Sequence, residues 1–269
     1  MQNKIDLYNT AYDNFAAEVE RQVRAETYGE DLGQTGWMTA GEFRQFLALL
    51  ELKRGARLLE VGFGAGGCAL YAAEVGGLQV TGIDINQNGV RNARELAEFK
   101  GLGNQVQFER ADASQTLPFA DAAFDAIFSN DAICHLDGRL SVLTEWNRLI
   151  APGGRILFTD AMVVTGILTS EEIAIRSSIG HYLFLPMGEN DRLIREAGFT
   201  LLRADDLTAS AEAVAGKWRD AREKRRETLI KLEGEKNFGG LQNFLACVHL
   251  VSKERRLSRY AYLAQKVVT

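Results

Sequence analysis

The chain has 269 residues, 46% apolar and 25% charged, a globular composition with enough length for one large domain or two small ones. A formal charge of −5 gives no general attraction to phosphate backbones, so nucleic acid is not an expected partner. No window approaches the roughly 18 unbroken apolar residues of a membrane span. The opening "MQNKIDLYNTAYDNF" also lacks a basic segment followed by an apolar run, so the expectation is a cytoplasmic protein with no membrane partner. Cys68, Cys134 and Cys247 are far apart and show no ligand spacing; they read as buried thiols, with no disulfide framework and no metal site. The basic run "RDAREKRR" from Arg219 to Arg226 carries Asp220 and Glu223 among its cations and reads as a solvated helix face.

Taken in order, residues 3–26 and 39–51 are patterned as helices and flank a polar, glycine-bearing loop at 28–38. From Arg57, short β-type runs alternate with longer helical patterns: strands at 57–61, 79–83, 106–110, 124–129 and 154–160, with helices near 67–76, 87–100 and 138–150. "APGGR" at 151–155 ends the last of these helices and permits a tight turn. Alternation of this kind, with right-handed crossovers, predicts an α/β fold with a Rossmann-like, doubly wound parallel sheet. Residues 163–187 form an apolar stretch, "ENDRLIREAGF" a helix and 199–205 a sixth strand. Residues 210–256 then read as two long helices broken at "NFGG" (237–240), before a final alternating strand, "RYAYLAQKV". A helical excursion of roughly fifty residues before an edge strand exceeds ordinary connection lengths and reads as a cap over a site. The expected organisation is a single domain: a helical lid (1–52), a cofactor-binding core (53–162), an acceptor region and cap interrupted by one strand (163–257), and a last strand (258–269).

The run "RLLEVGFGAGG" spells G-x-G-x-x-G from Gly62 to Gly67, with Gly64 between and Gly66 adding a fourth glycine, and it follows a strand and opens a helix. The glycines let backbone approach a ligand at the positive end of that helix. Glu60, two residues before the first glycine, argues against a dinucleotide: a carboxylate beside a pyrophosphate is repelled by roughly 1 kcal/mol per charge even in water-like surroundings. S-adenosylmethionine has no phosphate and carries a sulfonium and an ammonium, so the same acid becomes attractive. Asp84, with Ile85 beside it, ends the second strand where a carboxylate can accept both ribose hydroxyls. Asp112 follows the third strand and can accept an adenine amino group while the Ala113 amide donates to the ring. Asn130 ends the fourth strand at the edge where ligands bind in open α/β sheets.

In order, "LLEVGFGAGG", "VTGIDIN", "RADAS", "LPFADAAFDAIFSNDAICHL" and "LIAPGGRILFTD" resemble the motif series of class I S-adenosylmethionine-dependent methyltransferases, over about 57–160. The resemblance implies a seven-stranded sheet whose last strand is antiparallel and whose helical cap is inserted before that strand. The lid and cap resemble those of small-molecule enzymes such as the sarcosine/dimethylglycine, phosphoethanolamine and antibiotic-sugar methyltransferases. S-adenosyl-L-methionine is then the implied cofactor, and a small-molecule O- or N-acceptor the implied partner. Helical caps of this size can serve as dimer surfaces, so a homodimer through the cap is a further expectation. Two other readings stay open: an NAD-dependent oxidoreductase, and a non-catalytic cofactor-binding protein of the same fold.

A hydroxyl nucleophile must lose its proton, and a histidine near neutrality suits that transfer. His135, just past the fourth strand, is the candidate base. The resemblance to sugar O-methyltransferases implies that Asp160, ending the fifth strand, acts with it. By the same resemblance, Tyr28 and Gln34 of the lid loop fold over the cofactor, and His181 and Tyr182 line the acceptor pocket.

Overall fold

The computed structural model describes residues 7–268. Two helices, α1 (Leu7–Asp13) and α2 (Glu18–Tyr28), replace the single helix expected over 3–26, of which 3–6 lie outside the described residues. The break falls before Glu18, where Ala17 is extended (φ −62°, ψ 139°). α3 (Ala40–Leu49) starts at a capping box: Thr39 Oγ1 accepts from Glu42 N while the Glu42 carboxylate accepts from Thr39 N.

The core then alternates β1 (Arg57–Val61), α4 (Gly67–Gly76), β2 (Gln79–Asp84), α5 (Gln87–Phe99), β3 (Val106–Arg110) and β4 (Phe124–Ser129). A 3₁₀ turn (Ile133–His135), α6 (Arg139–Leu149) and β5 (Ile150–Val164) complete it. α7 (Ser170–Arg176), β6 (Leu185–Pro186), α8 (Glu189–Glu196), β7 (Phe199–Asp206), α9 (Thr208–Glu223), α10 (Arg226–Glu233), α11 (Glu235–Lys253) and β8 (Leu257–Lys266) follow. The sheet runs β3-β2-β1-β4-β5-β8-β7, with β8 antiparallel to both neighbours and the two-residue β6 alongside the end of β5, so it has eight strands where seven are expected. Central β1 buries Leu58, Leu59 and Val61 between two helical layers, as a parallel strand covered on both faces must. One layer packs Phe43, Phe46 and Phe128, the other Trp146, Ile127 and Phe158. A third cluster joins lid to cap: Val23 and Trp37 pack with Trp218, Leu241 and Phe244.

Three expectations need correction. "NFGG" lies inside α11; the cap breaks instead at Lys224–Arg225 and at Gly234, whose φ is 84°. Burial of Phe238 and Leu241 holds the helix through its glycines, whose propensity penalty is only about 1 kcal/mol each. "APGGR" belongs to β5 rather than to a turn, because β4 pairs Phe124 with Ile150 and then Ala126 with Arg155, and the extra residues bulge out with Gly153 at φ 75°. β5 also runs past residue 160 to Val164, paired there with Leu257 of β8.

Candidate active site

The carboxyl ends of β1, β2 and β4 open into a cavity of about 550 Å3, covered by α1, the loop at 28–38, and Trp218 and Phe244 of the cap. Gly62 and Gly64 line it because larger residues do not fit: a Cβ on Gly62 would lie 2.3 Å from Ala132 Cβ. Gly67, the last glycine of the motif, is tighter still, with its Cβ position 1.5 Å from the Leu32 carbonyl oxygen of the lid loop. Gly66 is not a lining residue. Its Cβ position is 2.6 Å from Ala93 Cβ and 2.9 Å from Phe108 Cζ, so it serves the packing of α5 and β3.

Two carboxylates meet at this end. Glu60 is 4% exposed, and burial, then the charge of Asp84, push its pKa up to about 8 against one favourable backbone N–H from Ala69. Asp84 accepts from Gly64 N (2.9 Å) and Asn86 N (2.8 Å), and burial raises its pKa as well. Neither acid has an ion-pair partner among the described residues, and no described lysine or arginine lines the cavity. Asp112 and Ala113 lie on the same wall; Asp112 Oδ1 accepts from Ser114 N (2.9 Å) and Oγ (2.7 Å), and exposed Ile85 forms part of the lining.

His135 closes the 3₁₀ turn at the other end. Its Nδ1 is 2.7 Å from the His181 carbonyl oxygen and so carries the proton, leaving Nε2 to accept from the Tyr8 hydroxyl at 3.0 Å. Burial holds its pKa below the ordinary histidine value. The Tyr182 hydroxyl is 3.4 Å from that of Tyr8, its ring is 4.3 Å from the imidazole centroid to centroid, and burial pushes its pKa up to about 12. His181 offers its carbonyl to His135, while its exposed ring turns to Asp137 (2.9 Å).

Other expected residues are placed differently. Asp160 is fully buried and does not line the cavity: Arg139 Nη1 (2.8 Å) and Asn190 Nδ2 (3.0 Å) donate to one oxygen and Met162 N (2.9 Å) to the other. No hydrogen bond joins it to His135; because β5 continues to Val164, residue 160 is strand interior and not a strand end. Tyr28 also lies outside the lining, with its ring in the lid–cap core and its hydroxyl donating to the Gly36 carbonyl (2.8 Å). Gln34 lines the cavity, but its amide holds the lid loop, accepting from Leu32 N (2.6 Å) and donating to the Glu30 carbonyl (3.2 Å). Asn130 lines it too, with Oδ1 accepting from Arg259 Nη2 (2.9 Å) and Thr159 Oγ1 (3.0 Å).

Three lining or supporting residues are absent from the sequence reading. Tyr8 and Tyr12 face the cavity from α1, and their i, i+4 spacing, which sets both on one helix face, was the available signal. Arg259, 1% exposed, donates to Asp131 (2.9 Å) and Glu42 (3.3 Å), while Asp131 accepts from Trp37 N (3.2 Å). It thereby ties β8, the end of β4, α3 and the lid loop together, through partners 128 and 217 residues away that no local pattern reveals.

Comparison with known proteins bears on this architecture. Residues 59–158 match a family model described as a methyltransferase domain. Phosphoethanolamine N-methyltransferase 3 of Arabidopsis thaliana is 32% identical over 203 residues, 76% of this chain and 40% of the relative, so the chain spans about two-fifths of that relative's length. An O-methyltransferase of Aspergillus nomiae is 30% identical over 155 residues, 57% of this chain and 68% of the relative. The solved structure of Haemonchus contortus phosphoethanolamine N-methyltransferase 2, with phosphomonomethylethanolamine and S-adenosylhomocysteine, shares the fold at a TM-score of 0.81 and 21% identity, covering 97% of this chain and 60% of that one. With its parallel core, antiparallel last strand and glycine-lined cavity at the carboxyl edge, the chain belongs to the family of class I S-adenosylmethionine-dependent methyltransferases.

Proposed function

We propose that this chain transfers a methyl group from S-adenosylmethionine to a small-molecule O- or N-acceptor held between the sheet edge and the helical cap. The observation that carries the reading is the pair Glu60, buried, and Asp84, half-buried: two carboxylates without an ion-pair partner among the described residues, in a cavity lined by no described lysine or arginine. A pyrophosphate would hold Glu60 in its protonated form and find no compensating cation, whereas a ligand with a cationic methionyl end and no phosphate draws Glu60 into its ionised form and pairs with it. This weighs against the NAD reading.

When bound, S-adenosylmethionine supplies an electrophilic methyl group. In this reading Glu60 holds the cationic end, Asp84 accepts the ribose hydroxyls, and Asp112 with the Ala113 amide receives the adenine. Gly62, Gly64 and Gly67 allow the backbone to approach, and Gln34 and Asn130 keep the lid loop and the strand edge in place. His135 takes the acceptor proton: its Nε2 lone pair points at the Tyr8 hydroxyl, and its lowered pKa keeps it neutral and ready to accept. Asp160 is assigned a supporting part, fixing Arg139 under the site. Enclosure by the aromatic cap excludes water and orients the nucleophile for in-line attack. Titration calorimetry decides first: S-adenosylhomocysteine should bind and NADH should not, and the reverse would remove the reading. A labelled methyl donor with hydroxyl and amine acceptors then separates an enzyme from a non-catalytic binder.

A further inference from the structure

The acceptor end of the cavity is aromatic and uncharged. Trp37 and Phe244 lie nearly parallel, with centroids 6.2 Å apart at 24°, and Trp218 meets Trp37 edge-on at 6.1 Å. All three line the same cavity as His135, together with Ile179 and Ala161. Of the acids on the lining, Asp131 is taken up by Arg259 and Asp137 by His181, and the others belong to the cofactor end. The Arg176 cation lies behind this wall. It is 1% exposed and outside the lining; its guanidinium carbon stands 5.3 Å from the Tyr182 ring and 4.7 Å from the Phe244 ring. Its Nη2 donates to Met162 Sδ (2.9 Å), and its Nε and Nη1 have no hydrogen-bond partner among the described residues.

A phosphate or carboxylate on the acceptor would be stripped of water here with no cation on the lining to pair with it, since the Arg176 guanidinium stands behind the rings of Tyr182 and Phe244. A cationic amine fares little better, because Arg176 already applies its positive charge to the rings of Tyr182 and Phe244. What remains favourable is a neutral ring stacked or edge-packed on Trp37, Trp218 and Phe244. We infer that the acceptor is an uncharged aromatic hydroxyl compound whose ring is held by Trp37, Trp218 and Phe244 and whose hydroxyl faces His135. The inference rests on the methyl-transfer reading and separates this chain from the phosphoethanolamine enzymes among its relatives. In the step it implies, a lone pair of the acceptor oxygen forms the new bond to the methyl carbon while the carbon–sulfur bond breaks and its electron pair stays on sulfur. The hydroxyl proton passes to His135 Nε2, directly or through the Tyr8 hydroxyl.

The test uses the full chain, first titrated with S-adenosylhomocysteine, then offered 2-naphthol, 4-phenylphenol and phosphoethanolamine, both as calorimetric ligands of the loaded protein and as acceptors of a labelled methyl group. Both phenols should bind and be methylated, and phosphoethanolamine should do neither. In Trp218→Leu and Phe244→Leu, phenol affinity should fall at least tenfold while S-adenosylhomocysteine affinity, which reports folding, stays within twofold. Phosphoethanolamine accepted as well as the phenols overturns the inference, as do phenols that neither bind nor react with a protein that binds S-adenosylhomocysteine normally. Phenol affinity unchanged in both variants also overturns it. A chain that does not bind S-adenosylhomocysteine removes the methyl-transfer reading, and this inference with it.

Discussion

Replacing Glu60 by glutamine should move two measurements in opposite directions. Burial and Asp84 raise the Glu60 pKa from 4.5 to about 8, so the ligand-free folded chain keeps the proton at pH 7 while the unfolded chain has lost it. With each pKa unit equal to about 1.4 kcal/mol, taking up that proton at pH 7 costs folding about 3 kcal/mol. The sign follows from a raised folded pKa: the stability contribution is fully present below pH 4.5 and is lost progressively as pH rises to about 8. Glutamine escapes this cost, and the ligand-free variant should melt about 5–10 °C higher at pH 7. For a cationic ligand the balance reverses. An ionised Glu60 about 4 Å from a positive charge contributes about 4 kcal/mol at an effective dielectric constant near 20, less about 1.4 kcal/mol for ionising it at pH 7. The variant should therefore bind S-adenosylmethionine ~30- to 150-fold more weakly. The ionised fraction rises about ninefold from pH 6 to pH 7, so wild-type affinity should tighten by about that factor, with proton release, while the variant stays flat. Titration calorimetry at both pH values and scanning calorimetry without ligand make the measurement. A variant that is both less stable and weaker in binding, or one whose affinity matches the wild type at both pH values, would refute the argument.

His135→Ala should lower turnover at least tenfold, about 1.4 kcal/mol, with S-adenosylhomocysteine affinity unchanged; equal turnover would remove the base assignment. Because burial lowers the His135 pKa, the acid limb of the turnover–pH profile should lie below pH 6.5, and a limb above that value would show that another group controls it. Gly67→Ala drives a Cβ into the Leu32 carbonyl and should weaken S-adenosylhomocysteine binding at least tenfold, whereas Gly103→Ala, with nothing within 4 Å, should match the wild type. Arg139→Met strands the Asp160 carboxylate without its cation and should cost about 3–5 kcal/mol in urea unfolding. A loss under about 1 kcal/mol would mean that the pair does not support the fold.

The alternation of short apolar runs and amphipathic segments already located β1, β3 and β4 to the residue, because the central strands β1 and β4, buried on both faces, leave near-continuous apolar runs and the edge strand β3 leaves an alternating one in the chain itself. With the strands located, Glu60, Asp84 and Asp112 stand at or just past strand ends by simple offset, and the charge of Glu60 could be weighed before any contact was known. Contacts made across the fold are another matter. Asp160 looks like a strand-end acid until β5 continues past it and Arg139 and Asn190, 21 and 30 residues away, close over its carboxylate. Tyr8 reaches His135 across 127 residues, and "NFGG" stays helical because Phe238 is buried in the cap. The aromatic wall exists only where lid and cap pack together. Periodicity and strand-end offsets are properties of neighbouring residues, so the chain alone determines them; the partner of a buried charge or ring depends on which distant surfaces meet, and only the tertiary packing decides that.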